Sequence, residues 1–137
     1  MAQGSSEAKP IFIEVGAGEL IDKITILRIK SERMSDEAKL KNVRHELDVL
    51  SKARSENLDD TEELRKLEAE LKKINEALWV IEDDIRECEA RKDFGDTFVE
   101  LARAVYKTND KRAAVKKDIN LLTGASIVEE KSYTEFE

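Results

Sequence analysis

Residues 82–84 read Glu-Asp-Asp, and three neighbouring acids raise the question of a metal site. A helix turns about 100° per residue, so consecutive carboxylates fan outward and cannot converge on one ion. No metal site is expected. A better constellation is Arg28, Arg86, Arg103, Tyr106, Asn109 and Asp110, with Asp22 and Arg112 close in the pattern. These could line a polar pocket between a first, a third and a fourth helix. Arginine forks match carboxylate and phosphate oxygens in pairs, so the ligand class would be a small anion or a carboxylate. The plainer expectation is that the same groups form salt bridges and hydrogen bonds that fix helix register, as charged helix faces usually do.

Catalysis finds no positive support in the spacing. His45 is the only histidine, residue 42 is Asn, and the Glu-x-x-His of di-iron bundles is absent. The paired Glu-x-x-Glu and Glu-x-x-Asp helices of the all-α nucleotide pyrophosphatases are also missing, as are a nucleophile–base pair, a phosphate loop and zinc-ligand spacing. No cofactor is implied. His45 falls off its helix's apolar seam and is expected to be exposed, whereas Trp79 is expected in the core.

The elements that would position these groups are helices. Leu64, Leu67, Leu71, Ile74, Leu78, Ile81, Ile85 and Cys88 alternate in spacings of 3 and 4 with no Gly or Pro between them, a heptad seam that predicts a long helix over residues 60–91. At Ala77-Leu78-Trp79-Val80-Ile81 the pattern turns apolar all round, so cover from more than one side is expected. A second seam, Leu40, Val43, Leu47 and Leu50, predicts the preceding helix, capped by Ser35 or Asp36. The polar link 55–60 should join the two as an antiparallel hairpin. A first helix over 19–34 is apolar in several directions through Leu20, Ile21, Ile24, Ile26, Leu27 and Ile29, with Asp22, Lys23 and Lys30 marking a wet edge. The expected convergence of the first and fourth helices is therefore on residues 78–88 of the third.

Asp60 with Glu63, and Thr97 with Glu100, are read as helix-capping pairs. The fourth helix should run to Thr123 and stop at Gly124. Its apolar stripe of Phe98, Leu101, Ala102, Val105, Ile119 and Leu122 is interrupted by Asn109, Arg112 and Lys116. Pro10 introduces Ile11-Phe12-Ile13-Glu14-Val15, a short strand by composition, and residues 125–133 read as extended, with Ile127 and Val128 able to lie beside it. Residues 1–9 read as a disordered leader ahead of a single helical domain, 10–137. The fold class is thus all-α, an antiparallel coiled-coil-like hairpin within a four-helix arrangement with short extended ends.

With 40% charged and 5% aromatic residues, the chain suits long exposed helices and a thin core. Its net charge of −7 argues against nucleic acid or an acidic membrane as a partner. The charge is uneven: residues 60–92 hold 7 basic and 11 acidic groups, or −4, while residues 97–124 hold 6 and 3, or +3. The two helices should attract. One cysteine excludes a disulfide framework, and Cys88 on the seam reads as a small hydrophobe. No stretch approaches a membrane span or a secretion signal, so cytoplasm is the expected location.

The strings Gly18-Glu-Leu-Ile-Asp-Lys-Ile-Thr-Ile-Leu, Asn42-Val-Arg-His-Glu-Leu, Leu78-Trp-Val-Ile-Glu-Asp-Asp-Ile-Arg, Phe98-Val-Glu-Leu-Ala-Arg-Ala-Val-Tyr with Asn109-Asp, and Glu129-Glu-Lys-Ser-Tyr resemble an uncharacterised bacterial family, a domain of unknown function. The resemblance covers about residues 10–133. It implies a bacterial helical protein and carries over no functional residue. A weaker likeness joins Leu20, Ile21-Asp22 and Arg33 to the first helix of helical chorismate mutases, although the spacing of basic groups is not matched. Two functional expectations follow: a non-enzymatic module for self-association or binding a protein partner, or a small-anion binder or enzyme using the polar set above.

Overall fold

The computed structural model describes residues 8–124, which form four helices: α1 (Ala17–Arg33), α2 (Glu37–Asn57), α3 (Glu62–Ala90) and α4 (Asp96–Thr123). The protein is all-α, with no strand among the described residues. Residues 11–15 form no strand, and Ile11, Phe12 and Ile13 are 89, 88 and 77% exposed. β-Branched composition favours a strand only where a second strand lies alongside, and none is present among the described residues. The expected companion, 125–133, lies outside the described residues, as does most of the expected leader.

Local signals set most helix ends. The Asp36 side chain accepts from the Lys39 amide at 3.2 Å and caps α2. Gly124, at φ 68°, ends α4 in the left-handed conformation that glycine adopts without a Cβ penalty. Two expected caps are different. Thr61 caps α3 by accepting from the Leu64 amide at 3.1 Å, because the Asp60 carboxylate is drawn instead to Arg54 and Arg65. α4 begins at Asp96 after Gly95 without a side-chain cap, and Glu100 pairs with Arg103.

Helix pairing departs further from expectation. The chain reverses at Met34–Asp36, so α2 packs along α1, and the backbones of α2 and α3 do not come into contact. α3 and α4 form the other hairpin, in keeping with their opposite charge. α1 touches all three other helices. Its apolar residues point in several directions, so it takes the central place, and Ile21, Ile24, Leu27 and Ile29 are buried. The helix that runs alongside α2 is α1, not α3.

The core joins Ile21 and Ile24 of α1, Leu64 and Leu71 of α3, and Val115 and Ile119 of α4, with Leu47 and Leu50 of α2 against it. Convergence therefore falls on the first half of α3, not on 78–88. The turn half of the α3–α4 hairpin is a two-helix ribbon: Leu78, Trp79, Ile81, Ile85, Leu101 and Val105 are only half-buried, although Cys88 is buried. Lys92, at φ 58°, closes the turn, and the Asp93 amide donates to the Cys88 carbonyl at 2.9 Å.

Candidate functional site

Where α1 crosses α3 and α4, the interior is polar. Asp22, read from the sequence as a wet edge, is 1% exposed. Arg112 grips it with a fork, Nε on Oδ1 at 2.9 Å and Nη2 on Oδ2 at 2.5 Å. The Asn75 amide donates both to Asp22 Oδ1 at 2.9 Å and to Thr25 Oγ1 at 3.0 Å. The Thr25 hydroxyl in turn donates to the Asp22 carbonyl at 2.8 Å. Lys116 binds Glu19 at 2.9 Å and stands 3.9 Å from Asp22. One helical turn away, Asn120 Oδ1 accepts from the Gly18 amide at 2.7 Å. A side chain of α4 thus satisfies a backbone donor in the first turn of α1, whose own cap, Gly16, offers none.

This is a satisfied polar node. A buried carboxylate is tolerable only with paired charge and hydrogen bonds, and all of these are present. Burial pushes the Asp22 carboxyl up, but the hydrogen bonds from Arg112 and Asn75 and the charges of Arg112 and Lys116 together hold it below the ordinary aspartate range. The interruption of the α4 stripe at Arg112 and Lys116 now has a cause. Those side chains face the acids of α1. An acid set between the apolar Ile21 and Ile24 of α1 and a basic break in the stripe of α4 were the signal available in the sequence.

Because the folded pKa of Asp22 lies below its unfolded value, its contribution to stability is complete above the ordinary value of 3.8 and is lost as pH falls through the folded value. The stability difference between the native chain and Asp22→Asn, measured by denaturant unfolding along a pH series, should hold constant near neutrality and shrink below about pH 4. A difference unchanged down to about pH 2 would contradict this assignment.

A second polar region lies among α1, α2 and α3. Glu68, 6% exposed, accepts from Arg28 at 2.5 Å and from Arg54 at 2.9 Å. Arg54 continues to Asp60 at 3.3 Å, and Asp60 to Arg65 at 3.2 Å. These groups, with Lys72, line a groove of about 450 Å³. Lys72 is paired with Glu32 at 3.0 Å and Glu76 at 3.4 Å, and the hydrogen bond it donates to Glu32 is the main cause that raises its pKa.

The six residues proposed from sequence as ligand-binding are distributed over both hairpins. Arg28 lines the groove, which contains none of the other five. Arg86 pairs with Glu82 at 3.0 Å and Arg103 with Glu100 at 3.6 Å, each on its own helix and exposed. Tyr106 and Asp110 are exposed and Asn109 is half-buried on α4. Sequence reading missed Arg54, Asp60, Arg65 and Glu68, because α2 was expected to lie along α3 rather than to meet it only near the link. His45 is exposed. Among the described residues, no group of His, Cys, Asp and Glu has a metal-holding arrangement. No helix there is long and apolar enough to cross a membrane.

Fold and site together define an all-α protein of two helical hairpins, pinned by a buried polar node and carrying a charged groove. The chain belongs to a family of unknown function, DUF6165, which matches residues 11–136. No curated protein matches the chain. No solved structure matches it either. Its function is unknown.

Proposed function

We propose that this protein is a non-enzymatic self-association module, whose interface is the turn half of the α3–α4 hairpin. One observation carries the reading: the stretch of α3 that is apolar all round is only half-covered, with Val80 at 44% exposure, while α4 carries Val99 and Tyr106 at 49 and 44%. Two helices cannot enclose such a stretch, whereas two hairpins packed face to face make a four-helix bundle. A second copy is the partner that fits, since a two-fold pairing sets the half-covered apolar stretch of one hairpin against the same stretch of the other, and each covers its partner's. Cytoplasm is the proposed compartment, in keeping with a lone cysteine, and at −7 neither nucleic acid nor membrane is a proposed partner.

Sedimentation equilibrium of the full chain should give twice the chain mass. Val80→Asp should raise the dissociation constant by at least about 30-fold, equivalent to about 2 kcal/mol at a central contact. A strict monomer at high concentration would sink the reading. So would a dimer indifferent to Val80→Asp but broken by Phe12→Asp, which would move the contact to the exposed N-terminal segment.

A further inference from the structure

We propose that the groove among α1, α2 and α3 binds a small oxyanion, a phosphate or a dicarboxylate, and that Asp60 occupies the anion position until the ligand displaces it. Arg28, Glu68, Arg54, Asp60 and Arg65 form a chain of alternating charge with cations at both ends. Its inner members are fixed. The side chains of Glu68 and Arg54 are 8 and 14% exposed, and the Glu68 carboxylate holds both Arg28 and Arg54. Its outer members keep donor capacity. A guanidinium has five N–H donors; Arg28 commits one nitrogen to Glu68, and Arg65 commits one to Asp60. Their side chains are 40 and 56% exposed, so those donors are open to a ligand.

Asp60 is the member built to leave. It sits in the four-residue link between α2 and α3, outside either helix, and its side chain is 61% exposed. Its carboxylate bridges Arg54 and Arg65 at 3.3 and 3.2 Å, a position that an oxyanion satisfies equally well through paired guanidinium contacts. Glu68 cannot be exchanged in this way, because it is buried beneath both arginines. Removing Asp60 takes one negative charge from the rim without touching the core, so ligand binding should tighten rather than weaken. That direction separates an anion site from a purely structural salt-bridge chain.

The test is a titration of the isotope-labelled full chain with inorganic phosphate in one arm and succinate in the other, followed by the arginine Nε–Hε resonances. Saturable shifts at Arg28, Arg54 and Arg65 are expected in at least one arm, and the responding arm identifies the headgroup. Asp60→Asn should tighten binding by roughly tenfold, the scale of one repulsive contact near a protein surface. Arg65→Gln, an exposed change that leaves the Glu68 pair intact, should weaken binding by a similar factor. Absence of saturable shifts in both arms would overturn the proposal, as would binding that Asp60→Asn weakens or that Arg65→Gln leaves unchanged. Folding of each variant is checked by circular dichroism, and self-association is read separately, so failure of the dimer leaves this result interpretable.

Discussion

Replacing Asp22 with alanine is expected to lower the unfolding free energy by about 3–5 kcal/mol, the loss typical of removing one partner from a buried ion pair. The carboxylate is almost fully enclosed and accepts from Arg112 and Asn75. Its removal takes the paired carboxylate from the guanidinium of Arg112 and an acceptor from Asn75, while Lys116 keeps Glu19. Urea unfolding followed by circular dichroism measures the change. The comparison with Asp22→Leu/Arg112→Met is the sharper result. Removing both charges also removes the guanidinium that has lost its paired carboxylate, so the double variant should recover part of the lost stability. A double variant no more stable than Asp22→Ala would mean that the node contributes by its shape and not by its charge pairing.

Gly18→Ala should also destabilise the protein, by about 1–3 kcal/mol, against the usual gain of about 1 kcal/mol when alanine replaces glycine in a helix. A Cβ at residue 18 would collide with the backbone carbonyl oxygen of Lys116 and crowd the Asn120 side chain. The obstacle is backbone, not the flexible end of a side chain, so α1 must move away from α4. That movement lengthens the bond from the Gly18 amide to Asn120. Thermal and urea unfolding report the stability, and faster hydrogen exchange of the amide at position 18 in the variant reports the separation. An alanine variant as stable as the native chain would show that the two helices do not need this close approach.

The helices themselves were legible because their signals are local. The α3 seam, the Asp36 cap and the Gly124 stop each depend on a few neighbouring residues, and each is present. The burial of Leu40, Val43, Leu64 and Leu71 follows from the same periodicity. Partner choice was not legible. The α2 seam was compatible with any apolar face, and the heptad spacing it shares with α3 favoured α3. The three residues Met34–Asp36 instead turn α2 back onto α1, which has apolar surface on enough sides to serve every other helix. The site moved for the same reason: once α1 occupies the centre, the polar groups brought together are Asp22, Asn75, Arg112 and Lys116, with Glu68 and its arginines at the other end of α1.

The sequence by itself determined an all-α protein, the positions of its helices and the polar break in α4. Periodicity and capping act within a few residues, so they can be read without knowing the rest of the chain. Only the tertiary structure decided which helix each seam meets, that Asp22 is interior, and that Arg28 faces Glu68 across 40 positions of sequence. Those outcomes depend on how several apolar faces are covered at once. One interior helix can satisfy that condition in more than one way, and contacts among distant residues choose between them.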